Sequence, residues 1–158
     1  MQIIQTILLA AKAAKVPGAI LLAICMHETG LKNITVQKDG GSPTYGVCQV
    51  KYDTAAMLGY TGKPEGLKNE KENAKWAAIY LKYQYDRYNG DWCKAVSAYN
   101  AGKYNESLKE PGHPRNLKYV LNVRKNLISP YHERLSCDRN YKERNKVFEY
   151  AENNGVGR

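Results

Sequence analysis

Glu28 is the residue whose surroundings best suit acid–base chemistry. It closes an apolar stretch, residues 19–30, in which Ile20 and Ile24 recur at helical spacing. Gly30 is the residue type expected just beyond a helix end. A carboxylate on the last turn of a buried helix is costly unless it is hydrogen-bonded or takes part in a reaction. This segment alone leaves two interpretations open: a functional carboxylate beside a cleft, or a charge that simply emerges into solvent where the helix ends.

Two later motifs carry side chains that suit binding of a polar ligand. Gly-Val-Cys-Gln-Val occupies residues 46–50, where Gly46 allows close backbone approach and Gln49 offers both a donor and an acceptor. Ala-Tyr-Asn-Ala-Gly occupies residues 98–102, at the end of an apolar helical pattern. We therefore expect the two motifs to supply the polar and aromatic groups that a lone acid lacks.

Helices must position these motifs, because apolar residues recur at helical spacing through most of the chain. Helices are predicted over about residues 2–15, 19–30, 53–58, 69–88, 92–100 and 116–128. Residues 31–44 carry turn chemistry and little periodicity, which predicts a loop or a weak hairpin. Residues 131–158 form a basic C-terminal extension, with a last helix predicted over about 141–152. No segment is rich in strand pattern, so the predicted fold class is mainly α.

Taken in order, His-Glu-Thr-Gly at residues 27–30 and the motifs at 46–50 and 98–102 resemble the soluble lytic transglycosylase (SLT) family. This is a lysozyme-like family related to goose-type lysozyme. Its pattern has a Glu-Ser pair, then Gly-Leu-Met-Gln-Ile, then Ala-Tyr-Asn-Ala-Gly. The resemblance covers about residues 16–128. It implies that residues 1–158 form one mainly α, lysozyme-like (goose-type/SLT) domain with a loop-built substrate cleft.

The resemblance implies a role for each matching residue. Glu28 corresponds to the family's single catalytic acid/base, and Thr29 stands where the family usually has Ser, which keeps the hydroxyl. The expected substrate-binding residues are Thr29, Gln49, Tyr99, Asn100 and Tyr119. Cys48 stands in place of the usual Met, which should alter packing more than chemistry. No metal or other cofactor is expected.

The implied reaction cleaves the β-1,4 bond between N-acetylmuramic acid (MurNAc) and N-acetylglucosamine (GlcNAc) in peptidoglycan. The acid protonates the leaving oxygen, and the substrate's own N-acetyl carbonyl helps to stabilise the oxocarbenium-like centre. The same carboxylate then takes the proton of the C6 hydroxyl, which attacks C1 and gives a 1,6-anhydro end. We expect burial among apolar neighbours such as Ile24 to raise the pKa of Glu28, as the first step requires.

Two other functions fit the same residues. A lysozyme-type hydrolase on the same fold would need a positioned water; Asp39 could hold one if it pointed into the cleft, whereas such a residue more often caps a turn. A non-catalytic glycan-binding or structural module could keep the fold without turnover. A metalloprotease is excluded, because Leu31 occupies the position, four residues after His27, where a second His is required.

Composition indicates the kind of partner. The net charge of +9 favours a polyanion: nucleic acid, anionic lipid or an acidic cell-wall polymer. The basic residues are dispersed, which argues against a dedicated nucleic-acid arm, and no apolar run approaches the ~18 residues of a membrane span. The charge indicates only the kind of partner, and the family resemblance implies that the partner is the glycan strands of peptidoglycan. The N-terminal residues lack the basic start of an export signal. We therefore expect either a phage lysis or virion protein or a domain cut from a larger exported one.

The four cysteines lie far apart, with no Cys-x-x-Cys pair, so they do not predict a zinc site. Cys25 and Cys93 fall in apolar helical patterns, where a free cysteine behaves as a small core residue. Without an export signal, four free thiols at Cys25, Cys48, Cys93 and Cys137 are predicted rather than two disulfides. Cys25–Cys48 is the pairing to test first if that prediction fails.

Overall fold

The fold is known from a computed structural model that describes residues 2–37, 41–127, 135 and 137. Three of the features predicted from sequence are affected by these limits. Asp39, the predicted helix over residues 141–152 and most of the basic extension over 131–158 lie outside the described residues.

The chain divides into two compact units, Met1–Tyr83 and Gln84–Arg158. Six α-helices and one small sheet account for the regular structure of the described residues, which confirms the mainly α fold class. Among those six, no helix combines the length and the apolar character needed to cross a membrane.

The helices of the described residues begin and end close to the predicted positions. They are α1 Gln2–Ala14, α2 Gly18–Thr29, α3 Tyr52–Met57, α4 Glu70–Arg87, α5 Trp92–Ala101 and α6 Leu117–Arg124, with a short 3₁₀-helix at Pro64–Lys68. Among these helices, only α6 differs from its predicted bounds by more than one residue, because it ends at Arg124 and not at about residue 128. Its last turn tightens there: the N–H groups of Asn126 and Leu127 bond to carbonyls only three residues back, at Val123 and Arg124.

α1 packs against α2, with Gly18 facing Leu8. A Cβ at Gly18 would lie 2.6 Å from the end of the Leu8 side chain, so a larger residue there would require that side chain to move. Ile7 on α1 and Ile24 on α2 are fully buried in this contact region of the first unit. Since α2 is apolar around most of its circumference, it lies in the core. The helix that carries Glu28 is therefore a fixed platform.

A three-stranded antiparallel sheet follows α2. The strands are β1 Thr35–Val36, β2 Thr44–Tyr45 and β3 Val50–Lys51, in the order β1-β2-β3. The expected weak hairpin is present as β1 and β2, but the third strand was not predicted, because two-residue strands are too short to show alternation. Residues 46–49 connect β2 to β3 and are called the 46–49 turn below.

In the second unit, α5 begins at a side-chain cap. The Asp91 carboxylate accepts a hydrogen bond from the backbone N–H of Lys94 at 3.0 Å. Aspartate is a favoured cap because it satisfies one of the backbone donors left unpaired in the first helical turn. This cap fixes the start of the helix whose other end carries residues 98–102.

The prediction of four free thiols is wrong, because two disulfides are present. Cys25 bonds to Cys48 in the first unit, and Cys93 bonds to Cys137 in the second. Packing brings the Cα atoms of the two pairs to 4.3 Å and 5.5 Å. The residues of each pair are 23 and 44 positions apart, so their proximity depends on tertiary packing that local sequence pattern does not show.

Removing the first disulfide should destabilise the protein measurably. We expect the double variant Cys25→Ala/Cys48→Ala to lose about 3 kcal/mol of unfolding free energy, because the open chain regains the entropy of a closed loop. Urea unfolding followed by circular dichroism measures the loss. Cys93→Ala/Cys137→Ala is the matched comparison, and its longer loop predicts a loss that is equal or slightly larger. An unchanged unfolding free energy in the first variant would contradict the Cys25–Cys48 link.

Candidate active site

Glu28 lies on the last turn of α2, half-buried, just before a sharp reversal of the chain. Gly30 and Leu31 both adopt left-handed backbone conformations, with φ of 64° and 66°. The N–H of Gly30 donates to the Met26 carbonyl at 2.9 Å, which closes the helix. A left-handed conformation is uncommon for a residue such as leucine. The reversal therefore ends the apolar helix abruptly and leaves the carboxylate at its edge, as the sequence predicted.

Thr29 uses its hydroxyl to join α2 to the 46–49 turn. Its Oγ1 donates to the carbonyl of Val47 at 2.7 Å and accepts from the N–H of Lys32 at 3.1 Å. The carbonyl of Cys25 lies farther from the same hydroxyl, at 3.4 Å. A hydroxyl has one hydrogen to donate, so the Val47 bond occupies it. The Thr29 hydroxyl therefore links the end of α2 to the 46–49 turn, and a serine would supply the same donor.

The disulfide gives the same two segments a second link. Cys25 lies one helical turn before Thr29, and Cys48 follows Val47 directly. Both cysteines are fully buried. The last two turns of α2 are thus joined to the 46–49 turn by one covalent bond and one hydrogen bond, on either side of the position that Glu28 occupies in sequence.

Gln49 uses most of its side-chain amide within the sheet region. Its Nε2 donates to the carbonyls of Gly46 at 2.9 Å and Ile34 at 3.1 Å, and its Oε1 accepts from the Thr44 hydroxyl. The residue also has a positive φ of 54°. Both amide hydrogens are therefore occupied by backbone carbonyls. One remaining acceptor position on Oε1 is what Gln49 can offer to a ligand.

Asn73 on α4 is a residue of this region that the sequence analysis did not single out as functional. It is fully buried, and its side chain makes three hydrogen bonds to backbone groups. Its Oδ1 accepts from the N–H of Cys48 at 2.9 Å, and its Nδ2 donates to the carbonyls of Tyr45 at 2.6 Å and Leu67 at 2.8 Å.

A signal for Asn73 was present in the sequence. It stands four residues before Ala77 and eight before Leu81, two fully buried positions on one face of α4. An asparagine on an otherwise apolar face needs hydrogen-bond partners inside the protein. The pattern could therefore have marked Asn73 as a residue that organises backbone.

In the second unit, Asn100 is exposed at the end of α5 and is tied to the start of α6. The Nδ2 of Asn116 donates to the Oδ1 of Asn100 and to the carbonyl of Ser97, each at 3.0 Å. The Ser97 hydroxyl in turn donates to the Oδ1 of Asn116. Asn116 thus orients the side-chain amide of Asn100. Because Asn100 is exposed, its remaining donor and acceptor positions lie at the surface.

The other two predicted residues of this unit differ in exposure. Tyr99 is buried, with 7% of its surface exposed. Tyr119 is half-buried on the first turns of α6, where its N–H donates to the Asn116 carbonyl at 3.0 Å. Tyr99 therefore presents little of its surface, whereas Asn100 and Tyr119 present more of theirs.

Two side chains from the end of α4 hold the end of α5. Gln84, which is fully buried, donates from Nε2 to the Gly102 carbonyl at 3.0 Å, and Arg87 donates to the same carbonyl at 3.1 Å. The N–H of Gly102 donates to Ala98 at 2.8 Å, with φ of 83°. Carbonyls at a helix C-terminus lack partners within the helix, and these bonds supply them at residues 98–102.

The chain that leaves this helix end is anchored by a pair of tyrosines. The N–H of Tyr104 donates to the Tyr88 hydroxyl at 2.7 Å, and the two rings meet edge to face with centroids 6.1 Å apart. Burial, followed by the negative charges of Glu106 and Asp91, raises the pKa of the Tyr104 phenol. The phenol therefore stays neutral and acts as an aromatic anchor.

Within each unit the structure brings predicted residues together. In the first, α2 with Glu28 and Thr29 is fastened to the turn that carries Gln49. In the second, Asn100 is fastened to the start of α6, the helix of Tyr119. Across the described residues, no group of three or more His, Cys, Asp or Glu side chains is arranged to hold a metal ion.

Comparison with protein families reveals a relationship over most of the chain. The family model of the transglycosylase SLT domain matches residues 5–121. This range contains all six residues that the sequence predicted for the site. No curated protein sequence matches the chain.

Solved structures share the fold. The 70 kDa soluble lytic transglycosylase Slt70 from Escherichia coli matches with a TM-score of 0.54 and 19% identity, over 90% of this chain and 21% of that chain. A complex of the 70-kDa soluble lytic transglycosylase with bulgecin A matches with a TM-score of 0.53 and 17% identity, over 90% of this chain and 22% of that chain. The chain spans about a fifth of the length of these proteins, and the predicted lysozyme-like fold is confirmed.

The hydroxyl at position 29 can be tested separately from its size. We expect Thr29→Val to lose about 1–3 kcal/mol of unfolding free energy, because the buried Val47 carbonyl loses its donor. Thr29→Ser keeps the hydroxyl and should lose less than about 1 kcal/mol, the value of one methyl group. Chemical denaturation of the two variants and the parent measures both values. Equal losses in the two variants would show that the hydrogen bond to Val47 contributes nothing.

Proposed function

The chain belongs to the transglycosylase SLT domain family, and from this we propose that it is a peptidoglycan lytic transglycosylase. It cleaves the β-1,4 bond between MurNAc and GlcNAc and leaves a 1,6-anhydro-MurNAc end. The observation that carries the proposal is the family match over residues 5–121, which includes Glu28 at the end of a buried helix. The shared fold supports it.

Glu28 performs both proton transfers in the proposed reaction. In its protonated form it gives its proton to the glycosidic oxygen of the departing GlcNAc, while the N-acetyl carbonyl oxygen of MurNAc bonds to C1. The resulting carboxylate then takes the proton of the C6 hydroxyl, whose oxygen bonds to C1 and displaces the carbonyl oxygen. The proton returns to Glu28, so the enzyme is restored and no water is consumed.

The geometry of the first unit supports this role through rigidity. General acid catalysis needs a donor held within hydrogen-bond reach of the reacting oxygen, and small misplacements are costly. Thr29 and the Cys25–Cys48 disulfide fasten the end of α2 to the 46–49 turn. Thr29 therefore positions the carboxylate through the backbone in this proposal, rather than by contact with the sugar.

The remaining predicted residues are proposed to contact the glycan strand. Asn100 is exposed and already oriented by Asn116, which suits hydrogen bonding to acetamido or hydroxyl groups. Gln49 offers one acceptor position, and Tyr119 offers a half-buried ring and hydroxyl. Tyr99, which is mostly buried, contributes through the small part of its surface that is exposed. The net charge of +9 favours adhesion to an anionic wall polymer.

Digestion of purified peptidoglycan tests the proposal. We expect the wild-type chain to release fragments whose MurNAc ends are one water lighter than reducing ends, as measured by mass spectrometry. Glu28→Gln should lower the rate by about 100- to 10,000-fold, because the amide cannot supply the proton. Glu65→Gln is the matched control: it removes an exposed carboxylate of the same unit and should leave the rate unchanged.

Each other result selects a different function. Reducing ends in place of anhydro ends would identify a lysozyme-type hydrolase on the same fold. Binding to peptidoglycan without any release of fragments would identify a non-catalytic module. A Glu28→Gln variant as active as the wild type would remove Glu28 from the catalytic role.

A further inference from the structure

We propose that Asn73 is a positioning residue for the reaction, one that sets the place of Glu28 and Gln49 by holding the 46–49 turn. The inference rests on the proposed function. Asn73 lies on α4 and is fully buried, so it acts through the backbone of the turn and not by contact with substrate.

The side chain of Asn73 is fixed in one orientation by its partners. Its Nδ2 faces two carbonyls, those of Tyr45 and Leu67, and its Oδ1 faces the N–H of Cys48. A flipped amide would place oxygen against both carbonyls and a donor against the N–H. Both hydrogens of the amide are in use. Asn73 therefore connects the end of β2, the 46–49 turn and the 3₁₀-helix at Pro64–Lys68.

Gly46 shows how tightly the turn fits over this amide. A Cβ at Gly46 would lie closer than 3.0 Å to the Asn73 side chain and to the Leu67 carbonyl, and Gly46 has a φ of 74°. Because Gly46 has no side chain, the backbone of the 46–49 turn can pack directly against the side-chain amide of Asn73.

The 46–49 turn contains Gln49 and is linked to the end of α2, which carries Glu28 and Thr29. Cys48, whose N–H is held by Asn73, precedes Gln49 and forms the disulfide with Cys25. Val47 precedes Cys48 and accepts the hydrogen bond of Thr29, the residue after Glu28. A shift of the turn therefore reaches Gln49 directly and reaches the last turn of α2 through two links.

Kinetics of isosteric variants separate positioning from a purely structural role. On soluble glycan strands, at a temperature where circular dichroism shows each protein folded, we expect Asn73→Asp at pH 8 to lower kcat by about 10- to 100-fold, as for a misplaced acid, with a smaller change in KM. Asn73→Ser, smaller and uncharged, should lower kcat in the same direction and serves if Asn73→Asp does not fold.

The matched control removes core packing from the same unit without touching the turn. Ile7 is fully buried on α1, so Ile7→Ala destabilises the unit through a cavity. We expect its kcat to stay within about threefold of wild type while it is folded. If Ile7→Ala and the Asn73 variants lose kcat alike, or if folded Asn73 variants keep wild-type kcat, Asn73 is only structural and the inference is overturned.

The pH dependence of kcat in Asn73→Asp gives a second test of the positioning role. Protonation turns the new aspartate into a neutral group with one O–H donor, which restores a hydrogen bond to one of the two carbonyls. Burial raises the pKa of a carboxyl group, so this change occurs at mildly acidic pH. The ratio of Asn73→Asp kcat to wild-type kcat should therefore rise as pH falls from 8 to 5. A ratio that stays flat counts against the inference.

The backbone amide resonances of Thr29 and Gln49 separate failure of this inference from failure of the proposed function. Asn73→Ser should shift both resonances, whereas Ile7→Ala should shift neither. If the wild type releases no product, the proposed function fails and the resonances alone decide the positioning role. Unshifted Thr29 and Gln49 resonances in Asn73→Ser would overturn it, whatever the wild-type activity.

Discussion

Backbone polar groups enclosed by buried residues need partners, and this requirement shapes the first unit around the 46–49 turn. A short turn cannot satisfy all of its own N–H and C=O groups. Thr29, Gln49 and Asn73 supply the missing partners from α2, from the turn itself and from α4. Thr29 and Gln49, two side chains that the family resemblance assigned to substrate binding, are thus used first to hold backbone. The turn linked to the end of α2 is therefore a rigid neighbour of Glu28, because its backbone polar groups find hydrogen-bond partners within the protein.

The second unit solves the same problem at the end of a helix. Gln84 and Arg87 donate to the carbonyl of Gly102, just beyond the end of α5, and Asn116 donates to the carbonyl of Ser97 near that end. Asn116 then has one amide hydrogen left to orient Asn100. A motif such as Ala-Tyr-Asn-Ala-Gly therefore depends on residues well outside it, from α4 and from the start of α6. Its exposed asparagine is held in place by polar residues that present no chemistry themselves.

Local pattern predicted the helices, their caps and the acid at the end of α2, because spacing along one helix determines which face is buried. Gly30 shows this well: its position after an apolar helical run was enough to predict the helix end that it forms. The disulfides were predicted wrongly because each joins cysteines tens of residues apart, which only the folded chain brings together. The buried face of α4 indicated that Asn73 needs hydrogen-bond partners, but only the fold shows that these include Tyr45 and Cys48. Family resemblance supplied the roles of Gln49, Tyr99, Asn100 and Tyr119, which spacing alone could not.

The burial of the Cys25–Cys48 bond makes it a reporter of local opening. Neither sulfur-bearing residue has exposed surface, so a thiol reductant reaches the bond only when the end of α2 separates from the 46–49 turn. The rate of its reduction therefore counts how often that contact opens under native conditions. In a compartment where thiols are kept reduced, the same contact is held by the Thr29 hydrogen bond without the covalent link. The disulfide that is formed or reduced in this way lies a single helical turn from Glu28, the predicted acid.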